Sequence, residues 1–419
     1  MPSRPAGSYR ILHTSDWHLG KLLNDRSREE EHARFLAWLL GAVAEEGVDA
    51  VVVAGDVFDA ANPPQSAVQM YYDFASQLYR QGGCALVVVA GNHDSPTHLE
   101  SPREVLRVLG AHVFGALAED AGERLLLLPD ADAPRVALAA VPFLRDRDLR
   151  RGVAGETERD IRRALRLGIE ARYAETAEVL RARAPGVPAV ATGHLAIDGA
   201  STSDSERDIH IGGLGAVATD VFPTDFAYVA LGHLHRPQAA SSDGRVRYSG
   251  SPFPLSFGEW KDTKSVQLID VSTEGVTATT LPIPVARRLE QVRLRAAEIE
   301  TTLGGFAPER AELPTWVEVV VEDAALEADV SERVRAAVEG KDFEVLKVVR
   351  AGVAGTTIGA AEDRTDEEVI DALLLDPAAV FQQEMDRFEQ FDDEERKALK
   401  RAFAELLEAV EGEREGASS

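Results

Sequence analysis

The chain has 419 residues, more than one hydrophobic core accommodates, so two or three domains are expected. Its 71 acidic and 45 basic residues leave a formal charge of −26, which excludes a protein that coats nucleic acid through its own positive charge. A single cysteine, Cys84, excludes a disulfide framework and a cysteine-based zinc site, and no run of about eighteen apolar residues reads as a membrane span. With no apolar signal core in MPSRPAGSYR, a cytoplasmic protein in a reducing compartment is expected.

Apolar, β-branched runs predict strands near 9–14, 48–54, 84–90, 124–129, 135–142, 188–193, 226–231, 245–249 and 264–270. Cys84 opens one of them, CALVVVA, and reads as a buried strand residue. SREEEHARFLAWLLGAVAEEG has an acidic first turn after Ser27, apolar positions at helical spacing and a stop at Gly47. Thr157 to Ala184 reads as a long charged helix. The β-α-β beginning predicts a layered α/β core with later antiparallel strands over residues 1–283. After the proline-marked LPIPV, residues 284–352 read as strand, strand, helix, strand, a small α+β unit. Residues 353–419 open with a Gly/Ala/Thr linker and continue as two or three short amphipathic helices. Leu373, Leu374, Leu375, Val380, Phe381, Met385, Phe388 and Phe391 form an apolar series, which Leu399, Phe403, Leu406, Leu407 and Val410 continue at helical spacing.

Seven side chains with metal-ligand chemistry fall at the ends of the strand-like runs. They are Asp16 and His18 in LHTSDWHLG, Asp56 in VVVAGDVFD, Asn92 in VVVAGNHDS, His194 in AVATGHL, and His233 with His235 in VALGHLH. A lone histidine at a strand end is usually structural, Asp after Gly is usually turn chemistry, and Asn-His-Asp can open a helix. None of these readings explains five clusters in this order. Open α/β sheets build sites outside the carboxyl ends of their strands, and residues two apart share a face. Carboxylate, amide and imidazole ligands without thiolate suit Mn, Fe or Zn better than Ca.

Two ions about 3.5–4 Å apart can bind both non-bridging oxygens of a phosphodiester and activate water. Asp56, central in chain order and alone in its cluster, is the candidate bridge. Asp16, His18 and His235 would complete one ion, and Asn92, His194 and His233 the other. His93, next to Asn92, is the candidate acid for the leaving alkoxide, and Asp94 is expected to orient His93 or its loop. The negative charge does not forbid a phosphate substrate. Residues 361–419 hold 19 acidic and 7 basic residues, hence −12 of the −26, while arginines gather at 145, 147, 150, 151, 287 and 288.

These clusters resemble the calcineurin-like metallophosphoesterase superfamily. SDWHLGK, VVAGDVFD, VVAGNHDS, VPFLR, ATGHL, GASTSDSERDIHIGG, YVALGHLHRPQ and YSGSPFPLSFGE are similar to one branch of it, the SbcD nuclease subunits of bacterial SbcCD DNA-repair complexes. The resemblance implies a layered metallophosphoesterase β-sandwich flanked by helices, a capping domain over 284–352 that sets DNA against the metals, and a C-terminal helical segment. It implies two Mn²⁺ ions, with Mg²⁺, Fe or Zn²⁺ as alternatives. The implied reactions are 3′-to-5′ double-strand exonuclease and single-strand or hairpin endonuclease cleavage, in the cytoplasm and in association with the nucleoid. The implied partners are DNA, with Arg145, Arg147 and Arg288 as candidate phosphate contacts, a second copy of the chain, and the coiled-coil ATPase SbcC, docked by the C-terminal helices, in a heterotetramer. A phosphatase acting on a non-DNA phosphoester would use the same ligands but would not need the cap and helical tail.

Overall fold

The structure, a computed structural model, describes residues 4–350 apart from 102, 152–155, 204, 207–214 and 323–328. The expected linker and helices over 353–419 lie outside the described residues.

Two six-stranded sheets form the core. The first runs in the order Gly275–Pro282, Ser265–Ser272, Tyr9–Thr14, Ala50–Ala54, Ala85–Val89, Ala111–Phe114. Its last four strands are parallel, and the first two are added antiparallel. The second runs Gln238–Ala239, Val246–Tyr248, Phe226–Gly232, Ala189–His194, Val136–Ala139, Leu125–Leu128, with four parallel strands between antiparallel edges.

The period of two along each strand explains the layering. Ile11, Val52, Val87 and Val89 of the first sheet share one cluster with Val136, Leu138, Val190, Tyr228 and Ala230 of the second. Their neighbours Leu12, Val51, Val53, Leu86 and Val88 point the other way, onto the helices Glu29–Glu46 and Gln65–Gln81. Ala137, Ala139, Ala191 and Leu231 meet Leu165, Ile169, Tyr173 and Ala177 of the helix Glu158–Arg183. Strands covered on both faces read as unbroken apolar runs, which is why the sequence marks them.

Several described elements escape that signal, three of them of some length or within a main sheet. Ala111–Phe114 has only four residues between Gly110 and Gly115. Gly275–Pro282 is an edge strand of small, mostly half-exposed residues, and Gln65–Gln81 has a largely polar sequence. Cys84 is also corrected: it is only half-buried and precedes the strand, which begins at Ala85, and burial pushes its thiol pKa up to about 12. The long helix starts as expected, with the Thr157 hydroxyl accepting from the Asp160 amide. The first helix stops at Gly47, whose φ of 61° places it in the left-handed region. At its other end Ser27 Oγ accepts from the Glu29 amide at 3.2 Å.

A three-stranded sheet, Leu289–Leu294, Thr315–Val321, Phe343–Arg350, follows, with the helix Val330–Ala337. A further helix, Ile299–Gly305, lies between its first two strands, too short for a periodic signal. Leu289 and Trp316 pack with Leu23 and Phe257. Beside them lies a buried ionic knot. Glu31 Oε1 accepts from Arg28 Nε at 2.8 Å and from Arg287 Nε at 2.7 Å. Both guanidinium groups also lie over the Trp316 ring, Arg287 at 4.0 Å. The next residue, His32, donates from Nε2 to the Trp17 carbonyl at 2.8 Å.

Removing one member of a buried ionic cluster strands the others without a partner, at a cost of about 3–5 kcal/mol. Glu31→Ala is therefore expected to lower the unfolding free energy by about that amount in urea titrations. A loss below about 1 kcal/mol, the scale of an exposed pair, would mean that water reaches the two arginines.

Candidate metal centre

The parallel strands Tyr9–Thr14, Ala50–Ala54 and Ala85–Val89 end at one edge of the first sheet, and Ala189–His194 and Phe226–Gly232 end at one edge of the second. The seven predicted side chains emerge there. Asp16, His18, Asp56 and His233 all have left-handed backbone, with φ of 52°, 47°, 50° and 101°. Such conformations cost on the order of 1–3 kcal/mol each for a residue with a side chain, and persist where the surroundings fix them. Here the fixing is visible: the Asp16 amide donates to Gly55 O and the His18 amide to Asp56 O, each at 3.0 Å, zipping the first two loops together. The His233 amide donates to Asp16 Oδ1 at 2.9 Å and ties the second sheet to the first.

Glycines make this approach sterically allowed. A Cβ on Gly55 would lie 2.2 Å from His194 Nδ1, and one on Gly91 would lie 2.0 Å from Asp56 Oδ1.

Asp16, His18 and His235 bring ligand atoms within 4.8 Å of one another, and so do Asp16, Asp56 and His194. Asp56 Oδ2 stands 3.6 Å from His18 Nε2 and 3.3 Å from His194 Nε2, between the two groups. Asn92 Oδ1 is 2.9 Å from His194 Nε2, and the His233 ring lies edge-on to the His194 ring at 5.6 Å. All seven predicted residues thus meet in one place. All are buried except Asn92, which is half-buried.

Three of the histidines are held from behind. His18 Nδ1 is 3.1 Å from an Asp59 carboxylate oxygen, His194 Nδ1 donates to Ala54 O at 2.9 Å, and His235 Nδ1 is 3.0 Å from Glu259 Oε1. Each partner fixes the proton on Nδ1 and leaves Nε2 to act as a ligand. His18 Nε2 is buried and has no hydrogen-bond partner, as a ligand atom aimed at a cation would be. The charges agree. Burial pushes Asp56 upward, but His194, His93 and His18 outweigh it and hold the carboxyl well below the usual range. His194, despite burial, is raised to about 9, mainly by Asp56. The cluster stabilises a positive charge at its centre, and a divalent ion would displace that proton.

His93 stands at the margin. Its amide donates to Asp56 Oδ1 at 2.9 Å, its Nδ1 donates to Asp59 O at 2.7 Å, and its ring lies edge-on to that of His18 at 4.8 Å. Asp94 turns away from the cluster and accepts from the amides of Val57, Phe58 and Gly91, clamping two loops. Asp59 and Glu259 are what sequence reasoning missed. Asp59 was within reach, three residues after Asp56 in GDVFD, but Glu259 lies 24 residues from His235, and only the fold joins them.

The arginines are less distinctive. Arg145 is half-buried before the short helix Asp146–Leu149, Arg147 is exposed 3.9 Å from Asp148, and Arg288 is paired with Glu309 at 2.5 Å.

The calcineurin-like phosphoesterase family matches residues 9–237, more than half of the chain. The SbcD subunit of nuclease SbcCD from Escherichia coli strain K12 is 36% identical over 412 residues, 97% of this chain and 100% of that protein. The chain belongs to the SbcD family. The SbcD subunit from Rhodobacter capsulatus is 44% identical over 68% of this chain and 72% of its own length, and that of Bacillus subtilis is 34% identical over 74% and 78%. An SbcD C-terminal family, described as a type 5 capsule protein repressor C-terminal domain, matches residues 285–388. An SbcD-family phosphoesterase domain works with divalent metal ions, and the His/Asp clusters at this sheet edge have the chemistry to hold them.

Gly91→Ala is expected to displace Asp56 and weaken metal binding by about 10–100-fold, the scale seen when supports of ligands are disturbed. Metal content after dialysis measures it, with circular dichroism to show that the sheets remain. Full retention of metal would show that the loop yields without moving Asp56.

Proposed function

We propose that this chain is a DNA nuclease subunit, a two-metal phosphodiesterase that acts with an SbcC-type ATPase. The observation that carries the reading is the convergence of seven oxygen and nitrogen donors on one buried point, with three histidines tied back so that Nε2 faces inward. The names of the relatives supply the rest: they are subunits of a nuclease.

In this reading two ions would be held here, Asp56 serving both, with Asp16, His18 and His235 as further ligands of one and Asn92, His194 and His233 of the other. Such ions would supply Lewis-acid charge for a phosphate and for activating water. We take them to be Mn²⁺, which suits a mixed carboxylate, amide and imidazole set. His93 protonates the leaving alkoxide. With Nδ1–H engaged by Asp59 O, the transferable proton is the one on Nε2. Asp59 serves two histidines, accepting from His93 at its carbonyl and from His18 at its carboxylate.

Residues 284–352 act as a cap that positions DNA, with Arg145, Arg147 and Arg288 as phosphate contacts. The nuclease domain forms a homodimer, and the segment 353–419 docks its apolar series in a groove of the ATPase's coiled-coil base. The cleavage is 3′-to-5′ exonucleolytic on duplex ends and endonucleolytic on single strands and hairpins.

Metal-free protein incubated with end-labelled duplex should regain cleavage on addition of Mn²⁺. Restored hydrolysis of small phosphoesters with intact DNA would instead point to a phosphatase. Asp56→Ala should lose both ions and all activity while keeping its fold; two bound ions and normal turnover would remove Asp56 from the bridge.

His93→Ala should keep its metal and lose about 10²–10⁴-fold in DNA cleavage. A nitrophenyl phosphodiester, whose leaving group hardly needs a proton, should suffer less. Equal losses on both substrates would make His93 a residue that orients phosphate or metal.

Deletion of 361–419 should leave Mn²⁺-dependent cleavage by the isolated protein and abolish co-purification with the ATPase. Undiminished complex formation would refute the docking role. An unfolded product would show that the segment packs on its own chain.

A further inference from the structure

Two sequence stretches that single out the SbcD branch, GASTSDSERDIHIGG and YSGSPFPLSFGE, contribute no residue to the proposed ligand set. Their described residues nevertheless meet, and the meeting point is Glu259. This carboxylate is fully buried. Its Oε1 receives His235 Nδ1–H at 3.0 Å, the Ser203 hydroxyl at 3.1 Å and a close hydrogen bond from the Ser205 hydroxyl. Ser205 Oγ lies 2.7 Å from the same His235 Nδ1. The other oxygen, Oε2, receives Lys264 Nζ at 2.6 Å, the Leu255 amide at 3.2 Å and the Ser251 hydroxyl at 3.4 Å. Lys264 is itself buried and donates to the His235 carbonyl at 2.8 Å and to Ser251 Oγ at 3.0 Å. Glu206 accepts from the His235 amide at 2.7 Å. His235 is therefore gripped at its ring, its carbonyl and its amide by residues from both stretches together with Lys264.

A buried carboxylate with a buried lysine is a poor device for stability, because desolvating two charges offsets their attraction. It is a good device for aiming an imidazole. The carboxylate keeps the proton on Nδ1, presents a bare Nε2 and makes that nitrogen a stronger donor to a cation. The lysine occupies Oε2 and leaves Oε1 to the ring.

We propose that Glu259 is a positioning residue that sets, through His235, the affinity of the ion shared by Asp16, His18 and His235, and that Ser203, Ser205 and Lys264 serve this carboxylate. The proposal rests on the two-ion reading above.

The test is direct metal binding to the full chain, with Mn²⁺ added to metal-free protein and free Mn²⁺ followed by its electron paramagnetic resonance signal. The variant is E259Q/K264M, which removes both buried charges together, so that neither is left unpaired. One of two ions should keep wild-type affinity and the other should weaken about 10–100-fold. In a His235→Ala background the same double change should add no further loss, whereas a merely structural role would add its loss there too. Should E259Q/K264M fail to fold, Ser205→Ala, on a half-buried loop, should weaken the same ion less strongly. Unchanged affinity, equal weakening of both ions, or an undiminished further loss in the His235→Ala background would overturn the proposal. If the wild-type chain itself does not bind two ions, the two-ion reading fails first.

Discussion

The structure is organised around keeping the Asp56 carboxylate ionised where water does not reach it. An isolated buried carboxylate would take up a proton, because burial penalises its charge. Asp56 instead stays well below the usual carboxylate range because His194, His93 and His18 converge on it from three other loops. Those loops come from both sheets, so the arrangement exists only when the sandwich is assembled. Its neighbour Asp16 lacks that balance: burial outweighs the pull of His194 and His235 and raises its pKa. The two carboxylates are thus distinguished by surroundings rather than by sequence, and a cation between them would satisfy both.

The backbone carries part of this arrangement. Four of the seven candidate ligands have positive φ without being glycine, and three glycines packed against Asp56 or His194, namely Gly91, Gly55 and Gly232, leave no room for a Cβ. Strain in the ligand residues and open space in the glycines are complementary devices. The first turns a side chain out of the strand direction, and the second lets the next loop close over it. Strain of this kind is stable only because amide-to-carbonyl bonds between successive loops hold it.

Much of this was legible in the sequence because the strands at the centre of each sheet are covered on both faces. Their apolar runs stand out, and polar residues at their ends stand out in turn. That is why Asp16, His18, Asp56, Asn92, His194, His233 and His235 could be picked in advance. The signal fails at the margins. The edge strand Gly275–Pro282 is half-exposed, and the helix Gln65–Gln81 presents a polar sequence with a narrow buried stripe of Ala67, Tyr71, Phe74, Ala75 and Leu78. Glu259 and Ser205 were invisible for a different reason. A residue that acts by hydrogen bonding to a ligand has no spacing rule, since its partner is set by the fold. The branch-specific stretches around them were recognisable as strings, but strings do not say which histidine they serve.

The first turn of the helix Glu29–Glu46 carries Glu31 and His32 side by side. One closes the ionic knot with Arg287 at the entrance to the three-stranded sheet, and the other grips the carbonyl of Trp17, between Asp16 and His18. Adjacent residues of a hydrogen-bonded helix share one rigid backbone. The small sheet and the loop bearing two candidate ligands are therefore fastened to successive residues of a single short lever. Tilting that sheet by an ångström or so would ask the Asp16–His18 loop either to follow or to release His32, so the small sheet and that loop are mechanically linked across a single turn of helix.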